Sequence, residues 1–268
     1  MTTQTHDEEM PMDHAGEVRC RLDGDVATLV LTRPWKHNSV TRSMWVQLTD
    51  HVQRLEEHLE VRLIVLRGEG SAFSAGADLA DMVASAGDPE TARAFARRVA
   101  SALHALATSS KVTVAALKHH VRGGGAELAL ACDLRVAEDD VAFQIPVSRL
   151  GVVPDRITTR RLSRLGGPGV ARRVLLLTHE LDGSECLRVG LVDELVPAGD
   201  LDVALDRLAR ELRENVDSAV RATKRMLLQE EGLSCHVDEM IEEFVESLID
   251  GGVAERARGA LSPRNPTS

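Results

Sequence analysis

The segment Arg122-Gly123-Gly124-Gly125-Ala126-Glu127-Leu128-Ala129-Leu130-Ala131-Cys132-Asp133 joins three glycines to a carboxylate among small apolar residues. The strand-like run Val112–Leu117 leads into it, and a small-residue helix leaves it. Glycines at a strand-to-helix junction let the backbone approach a ligand closely. The first N–H groups of the helix have no intrahelical partner, so that end favours negative charge, standing or developing. Glu127 lies one turn in. One reading is a polarising donor beside a carboxylate that moves a proton. The other is a tight turn before a buried helix whose Glu has a structural partner. Upstream, Leu63–Arg67 reads as a buried strand, Gly68–Asp78 as a loop of small residues and Leu79 as a helix start. Two such junctions side by side would supply two convergent backbone N–H groups, as an oxyanion hole requires.

A second acid, Asp155, follows Gly151-Val152-Val153-Pro154 and precedes the helix-like run Ile157–Leu165. It reads either as a proton-transfer group or as an N-cap. Lys118-His119-His120-Val121-Arg122 is a basic segment beside the second junction, suited to a phosphate, a substrate carboxylate or plain solvation. Arg156, Arg160, Arg161 and Arg164 read mostly as surface charges.

The elements that must position these groups begin with a hairpin, Val18–Leu22 and Val26–Leu31, around Asp23-Gly24-Asp25. Thr41 can cap a helix reaching about Glu60, with Met44, Leu48, Val52, Leu55 and Leu59 as its apolar stripe and His51 and His58 facing solvent. Asp88-Pro89-Glu90 opens another helix, to about Ala107, with Phe95, Val99, Leu103 and Leu106 inward and His104 beside that stripe. Strands and helices alternate up to Val196, which indicates an α/β fold. After Asp200 the pattern is helical: Leu201–Arg213, Ser218–Leu228 and Ser234–Asp250. The organisation expected is a disordered lead-in (1–16), a core (17–199) and a C-terminal helical region (200–268), with a turn-like tail from Leu261.

The 268 residues suffice for one large domain or two small ones. Tyrosine is absent, so the core must be aliphatic and no Tyr can act as a catalytic acid. The net charge of -10 argues against a nucleic-acid surface, and an anionic substrate would need local Lys and Arg. Cys20, Cys132, Cys186 and Cys235 have no CxxC spacing, so neither zinc nor a disulfide framework is expected, and reduced thiols fit a cytoplasmic protein. No stretch approaches the ~20 apolar residues of a membrane span, and the acidic start of the chain lacks a signal peptide's apolar core.

Phe73-Ser74-Ala75-Gly76-Ala77-Asp78-Leu79 and Gly123–Arg135 closely resemble the two signature segments of the enoyl-CoA hydratase/isomerase (crotonase) family. The resemblance runs from about Val26 to Val196 and includes Arg33-Pro34 with Asn38, and Gly190–Pro197. It implies a spiral of ββα units with a C-terminal helical trimerisation region, assembled as a homotrimer or a dimer of trimers. It implies an acyl-CoA thioester as substrate, with coenzyme A part of that substrate, no other cofactor or metal, and neither nucleic acid nor membrane as partner. The oxyanion hole would be the N–H groups of Ala77 and Gly124. Glu127 and Asp155 would be catalytic, and Lys36, His37, Ser74, Ala75, Gly76, Asp78, Leu79 and Gly123 would contact substrate or CoA.

Departures from the family pattern bear on the reaction. Where its hydratases carry a second Glu after Phe-Gly-Gln-Pro, this chain has Val147, which cannot transfer a proton. Asp155 falls where double-bond isomerases of the family carry Asp. The active-site Trp of a dehalogenating branch would fall at Val147. Lys118-His119 replaces Asn-Gly, and Ile157-Thr158-Thr159 replaces Gly-Gly-Thr. The reading favoured is isomerase-type proton transfer, with Asp155 abstracting the proton. The alternatives are a hydratase (a lyase), a thioester or C–C hydrolase, and an inactive scaffold. One family branch binds RNA through a lysine-rich helix, and Thr41–Glu60 contains no Lys.

Overall fold

The computed structural model describes residues 16–85 and 89–232. The strands are β1 (Glu17–Asp23), β2 (Val26–Thr32), β3 (Leu63–Gly68), β4 (Val112–Leu117), β5 (His120–Arg122), β6 (Leu134–Glu138), β7 (Ala142–Gln144), β8 (Leu181–Asp182) and β9 (Glu194–Val196). The helices are α1 (Arg42–Glu57), α2 (Leu79–Ser85), α3 (Pro89–Thr108), α4 (Gly124–Ala131), α5 (Arg156–Leu176), α6 (Gly183–Val189), α7 (Leu201–Arg213) and α8 (Asp217–Glu230). The large sheet has the order β1-β2-β3-β4-β6-β9. Only the β1–β2 hairpin in it is antiparallel, closed by the two-residue turn Gly24-Asp25. Gly24 takes φ 57, the positive angle that such a turn needs at its first position. A small sheet, β5-β7-β8, stands apart.

The central strands are apolar on both faces because both are covered. Ile64, Leu66, Ala115 and Leu117 face a core shared with Leu48 and Val52 of α1 and Leu103 and Leu106 of α3. The alternate residues Leu63, Val65, Val114 and Ala116 pack against Leu201, Ala204 and Leu205 of α7. This is the α/β architecture that the alternating pattern implies.

Thr41 caps α1 by accepting from Met44 N at 3.3 Å. The helix ends at Glu57 rather than near Glu60, so Leu59 leaves the apolar stripe and is 79% exposed. His51 is half-buried, its Nε2 2.9 Å from Val18 O, rather than free in solvent; His58 and His104 are exposed. In α3, Leu103 and Leu106 are buried and Phe95 and Val99 half-buried. Helix α5 runs past Leu165, the end expected, and breaks at Gly167 (φ 78), where Pro168 follows. Asp88, Cys235, the helix expected over Ser234–Asp250, the tail from Leu261 and residues 1–15 of the lead-in lie outside the described residues.

Candidate active site

Parallel neighbours end at the same edge of a sheet, so the loops after β3 and β4 leave the large sheet side by side. The second loop does not stay a loop. His120–Arg122, within the basic segment, forms β5 and pairs with β7. Its edge binds the first loop through Phe73 N to Lys118 O (2.9 Å), Ser74 N to His120 O (2.9 Å) and Arg122 N to Ser74 O (3.0 Å). The two junctions are thereby laced together.

Their glycines are required by that closeness. A β-carbon on Gly76 would stand 2.6 Å from Arg122 O and 2.9 Å from Gly124 N. One on Gly125 would stand 2.7 Å from Ser74 Cβ. One on Gly124 would meet Ala77 N at 3.2 Å and the buried indole of Trp45 at 3.1 Å. Trp45 packs under the glycines, and the heptad-like stripe read for α1 omitted it.

The N–H groups of Ala77 and Gly124 lie beside each other, and neither donates to a protein acceptor among the described residues. For Ala77 the cause is a parallel bridge. Val40 N donates to Gly76 O (2.7 Å) and Asp78 N to Val40 O (2.9 Å), which leaves the N–H between them unused. For Gly124 the cause is its place as first residue of α4, whose N-cap is Gly123 (φ 49) with no side-chain cap.

Glu127 is buried on α4, and its carboxyl has no hydrogen bond or ion pair among the described residues. Burial pushes its pKa up from 4.5 to about 7, and the charge of Asp155 pushes in the same direction. Asp155 is half-buried and serves as the N-cap of α5. Its Oδ1 accepts from Ile157 N (2.7 Å) and Thr158 N (3.2 Å), and its Oδ2 accepts from the Thr158 hydroxyl. The capping role and closeness to Glu127 therefore coexist. Val147 is buried and apolar, in the short turn Pro146–Leu150.

The other residues expected to contact substrate divide into two groups. Ser74 is buried, its hydroxyl donating to Asn38 O (2.8 Å) and accepting from Gly76 N (3.1 Å); it shapes the loop. Asp78 accepts from Arg33 Nη1 (2.6 Å) and from Asp81 N (3.0 Å) at the start of α2. Burial opposes its charge, but those bonds hold its carboxyl below the usual range. The Asp78 side chain is thus a brace between the loops after β2 and β3. Ala75, Leu79, Lys36 and His37 are exposed, and His37 O accepts from Ala75 N (2.8 Å). Gly123 is half-buried and donates to Gln144 O (2.9 Å), and Gly76 is buried.

The basic segment is internally engaged. Lys118 lies 3.5 Å from Glu138 and Arg122 2.8 Å from Glu180. His120 stacks against His119 (4.0 Å) and meets His37 edge-on (5.1 Å). Desolvation and then the charges of His119, Arg122 and His37 depress the His120 pKa. Among the described residues no cluster of His, Cys, Asp and Glu could hold a metal, and no helix is long and apolar enough to cross a membrane.

Comparison with known proteins establishes the family. The sequence profile of the enoyl-CoA hydratase/isomerase family matches residues 21–236. The crotonyl-CoA hydratase of Syntrophomonas wolfei is 31% identical over 215 residues, which are 80% of this chain and 81% of that protein. The mitochondrial Delta(3,5)-Delta(2,4)-dienoyl-CoA isomerase of Dictyostelium discoideum is 30% identical over 212 residues, 75% of this chain and 72% of that protein. The crystal structure of an enoyl-CoA hydratase/isomerase family protein from Hyphomonas neptunium superposes with a TM-score of 0.85 at 31% identity, covering 92% of this chain and 95% of that one. The chain belongs to the enoyl-CoA hydratase/isomerase (crotonase) family and has its fold. Members of that family act on acyl-CoA thioesters.

Proposed function

We propose that the protein moves a double bond within an enoyl-CoA thioester by proton transfer through Glu127. The observation that carries this reading is the buried Glu127 carboxyl, unpartnered among the described residues, with a pKa near 7, one turn beyond the Gly124 N–H, which is likewise unpaired among them. A carboxyl with that pKa is populated in both protonation states near neutrality, so one group can take a proton and give it back.

In this mechanism the thioester oxygen accepts hydrogen bonds from Ala77 N and Gly124 N. Glu127 removes a proton from the α-carbon of a 3-enoyl chain, and the C–H electron pair passes through the carbon framework to the thioester oxygen. The two N–H donors stabilise this dienolate. Glu127 then returns the proton to the γ-carbon, and the double bond lies between the α- and β-carbons. No water is consumed. Asp155, whose oxygens are engaged by three donors of α5, acts through its charge, which keeps Glu127 readily protonated. This assignment differs from the expectation that Asp155 itself abstracts the proton. Lys36 and His37 are proposed to meet the CoA moiety, and the assembly is proposed to be a homotrimer or a dimer of trimers in the cytoplasm, with no cofactor beyond substrate CoA.

Hydration is the second reading, favoured by the hydratase names of relatives such as those of Clostridium acetobutylicum and Syntrophomonas wolfei. It would need a second group to activate water, and Val147 cannot do so. Mass spectrometry of 2-enoyl- and 3-enoyl-CoA esters incubated in heavy water separates the two. A moved double bond with no added water supports isomerisation, and little deuterium in the product marks return of the same proton by Glu127. Addition of water replaces it with hydration, and release of free CoA replaces it with hydrolysis.

A further inference from the structure

The geometry points to Arg161 as a positioning residue for this proton transfer: from α5 it grips the C-terminal carbonyls of α4 and so fixes the register of Gly124 and Glu127. The inference rests on the acyl-thioester reading above.

Helix α4 is only eight residues long. Its N-terminus has no side-chain cap, and that end is held through the backbone just before it, by Arg122 N to Ser74 O (3.0 Å) and Gly123 N to Gln144 O (2.9 Å). Its side chains beyond Glu127 are Leu and Ala, all buried, and apolar packing is non-directional. The matching directional hold comes from a side chain at the other end. Arg161 Nη1 donates to Leu130 O (3.0 Å), Ala131 O (2.6 Å) and Cys132 O (2.9 Å), the carbonyls that a helix terminus leaves unpaired. Arg135 Nη1 adds a bond to Cys132 O at 3.0 Å. Arg161 is itself buried, and its Nε binds Glu231 at 2.9 Å, so the guanidinium has little freedom.

The same helix α5 carries Asp155 at its N-cap, six residues earlier, about 9 Å along the axis. Helix α5 therefore meets α4 at two points. Asp155 acts on Glu127 near the catalytic end, and Arg161 anchors the far end. With the far end released, α4 would tilt about its hydrogen-bonded start, moving Glu127 relative to Asp155 and straining the approach of Gly124 N to Ala77 N. A displacement of about 1 Å at reacting groups can cost about 100-fold in rate. The cation at the C-terminus also neutralises the negative end of the helix, leaving the positive end to act on the thioester oxygen.

The test compares the full-length wild type with Arg161→Met, Arg161→Lys and Lys224→Met. Lys224 is the control: it too is a buried cation close by, bonded to Lys111 O and Asp133 Oδ2, both at 2.6 Å, and it touches no carbonyl of α4. Three readouts are taken well below each melting temperature or alongside it: kcat and KM for a 3-enoyl-CoA ester, the red shift of an aryl-conjugated enoyl-CoA ester on binding, and the melting temperature itself. The red shift reports polarisation of the thioester carbonyl and needs no turnover.

Arg161→Met is expected to lower kcat by roughly 10–100-fold while KM stays within about threefold, and to shrink the red shift. Arg161→Lys should recover part of both, because an ammonium donates to the same carbonyls without the fork of a guanidinium. Lys224→Met should lower the melting temperature but keep kcat and the red shift. Full kcat and red shift in Arg161→Met, or equal losses in Lys224→Met, overturn the inference. If Arg161→Met does not fold, Arg161→Gln takes its place with the same expected losses. Absence of any red shift in the wild type would overturn the thioester reading and this inference with it, whereas a loss confined to the variants leaves that reading intact.

Discussion

Glu127 is a buried acid whose cost and use have one origin. Its folded pKa of about 7 lies above the ordinary 4.5, so the folded chain holds the proton more tightly than the unfolded chain does. The stability linked to this group is fully present below about 4.5 and is lost as pH rises through about 7. Above that range the ionised carboxyl costs about 3 kcal/mol. Glu127→Gln should therefore melt higher than the wild type at pH 8 and about equally at pH 4, a difference that calorimetry resolves. The same substitution should lower kcat by roughly 10²–10⁴-fold. In the wild type, kcat/KM should rise with pH through about 7, as the base form appears. Asp155→Asn keeps a good N-cap but removes the charge that raises Glu127, so the rate profile should move to lower pH with turnover retained. A complete loss of turnover would instead make Asp155 the base.

The helix termini and loop crossings show how closely the elements are matched. Asp155 and Thr41 cap α5 and α1, and each such cap contributes about 1 kcal/mol. The three donors on Asp155 orient its carboxylate, so one residue both starts a helix and sets the field at Glu127. The crossing of the loops after β3 and β4 tolerates no added atoms. Gly125→Ala would place a methyl 2.7 Å from Ser74 Cβ and the same distance from Ser74 O. It should destabilise the protein by about 1–3 kcal/mol in urea titration, and lower activity further by parting the two N–H donors. Arg33 and Asp78, 11% and 15% exposed, brace the loop after β3 from the other side, against the loop after β2.

For the molecule as a whole, the large sheet is closed on its second face by α7, while α8 is tied to the strands through polar bonds. Asp133 gathers Thr113 N (2.7 Å), Thr113 Oγ1 (3.0 Å) and Lys224 Nζ (2.6 Å), joining β4, the turn after α4 and α8. Lys224→Met would leave the half-buried Asp133 carboxylate with only its Thr113 bonds, and should cost about 1–3 kcal/mol of unfolding free energy, measurable by urea denaturation. Arg160 and Arg161 bind Glu231 and Arg164 binds Glu230, so three of the four arginines expected at the surface hold α5 to the end of α8.

Short-range rules made much of this readable in advance. The turn at Gly24-Asp25, the Thr41 cap, the strands β3 and β4, the start of α4 after three glycines and the position of Glu127 within it depend on neighbours a few residues away, as did the two segments that carry the family resemblance. Errors at Leu59 and His51 arose where a helix ended early or a distant carbonyl came within reach. The state of the site depended on residues far apart in sequence. The register of β3 beside β4 brought the two loops together, and the bridge to Val40 left the Ala77 N–H unused. The depth of α4 and the approach of Asp155 raised the Glu127 pKa, and the end of α4 turned Arg161 from an expected surface charge into a buried anchor. Helical and strand periodicity can be read along a chain, but burial and the electrostatics that follow from it exist only once the distant segments have met.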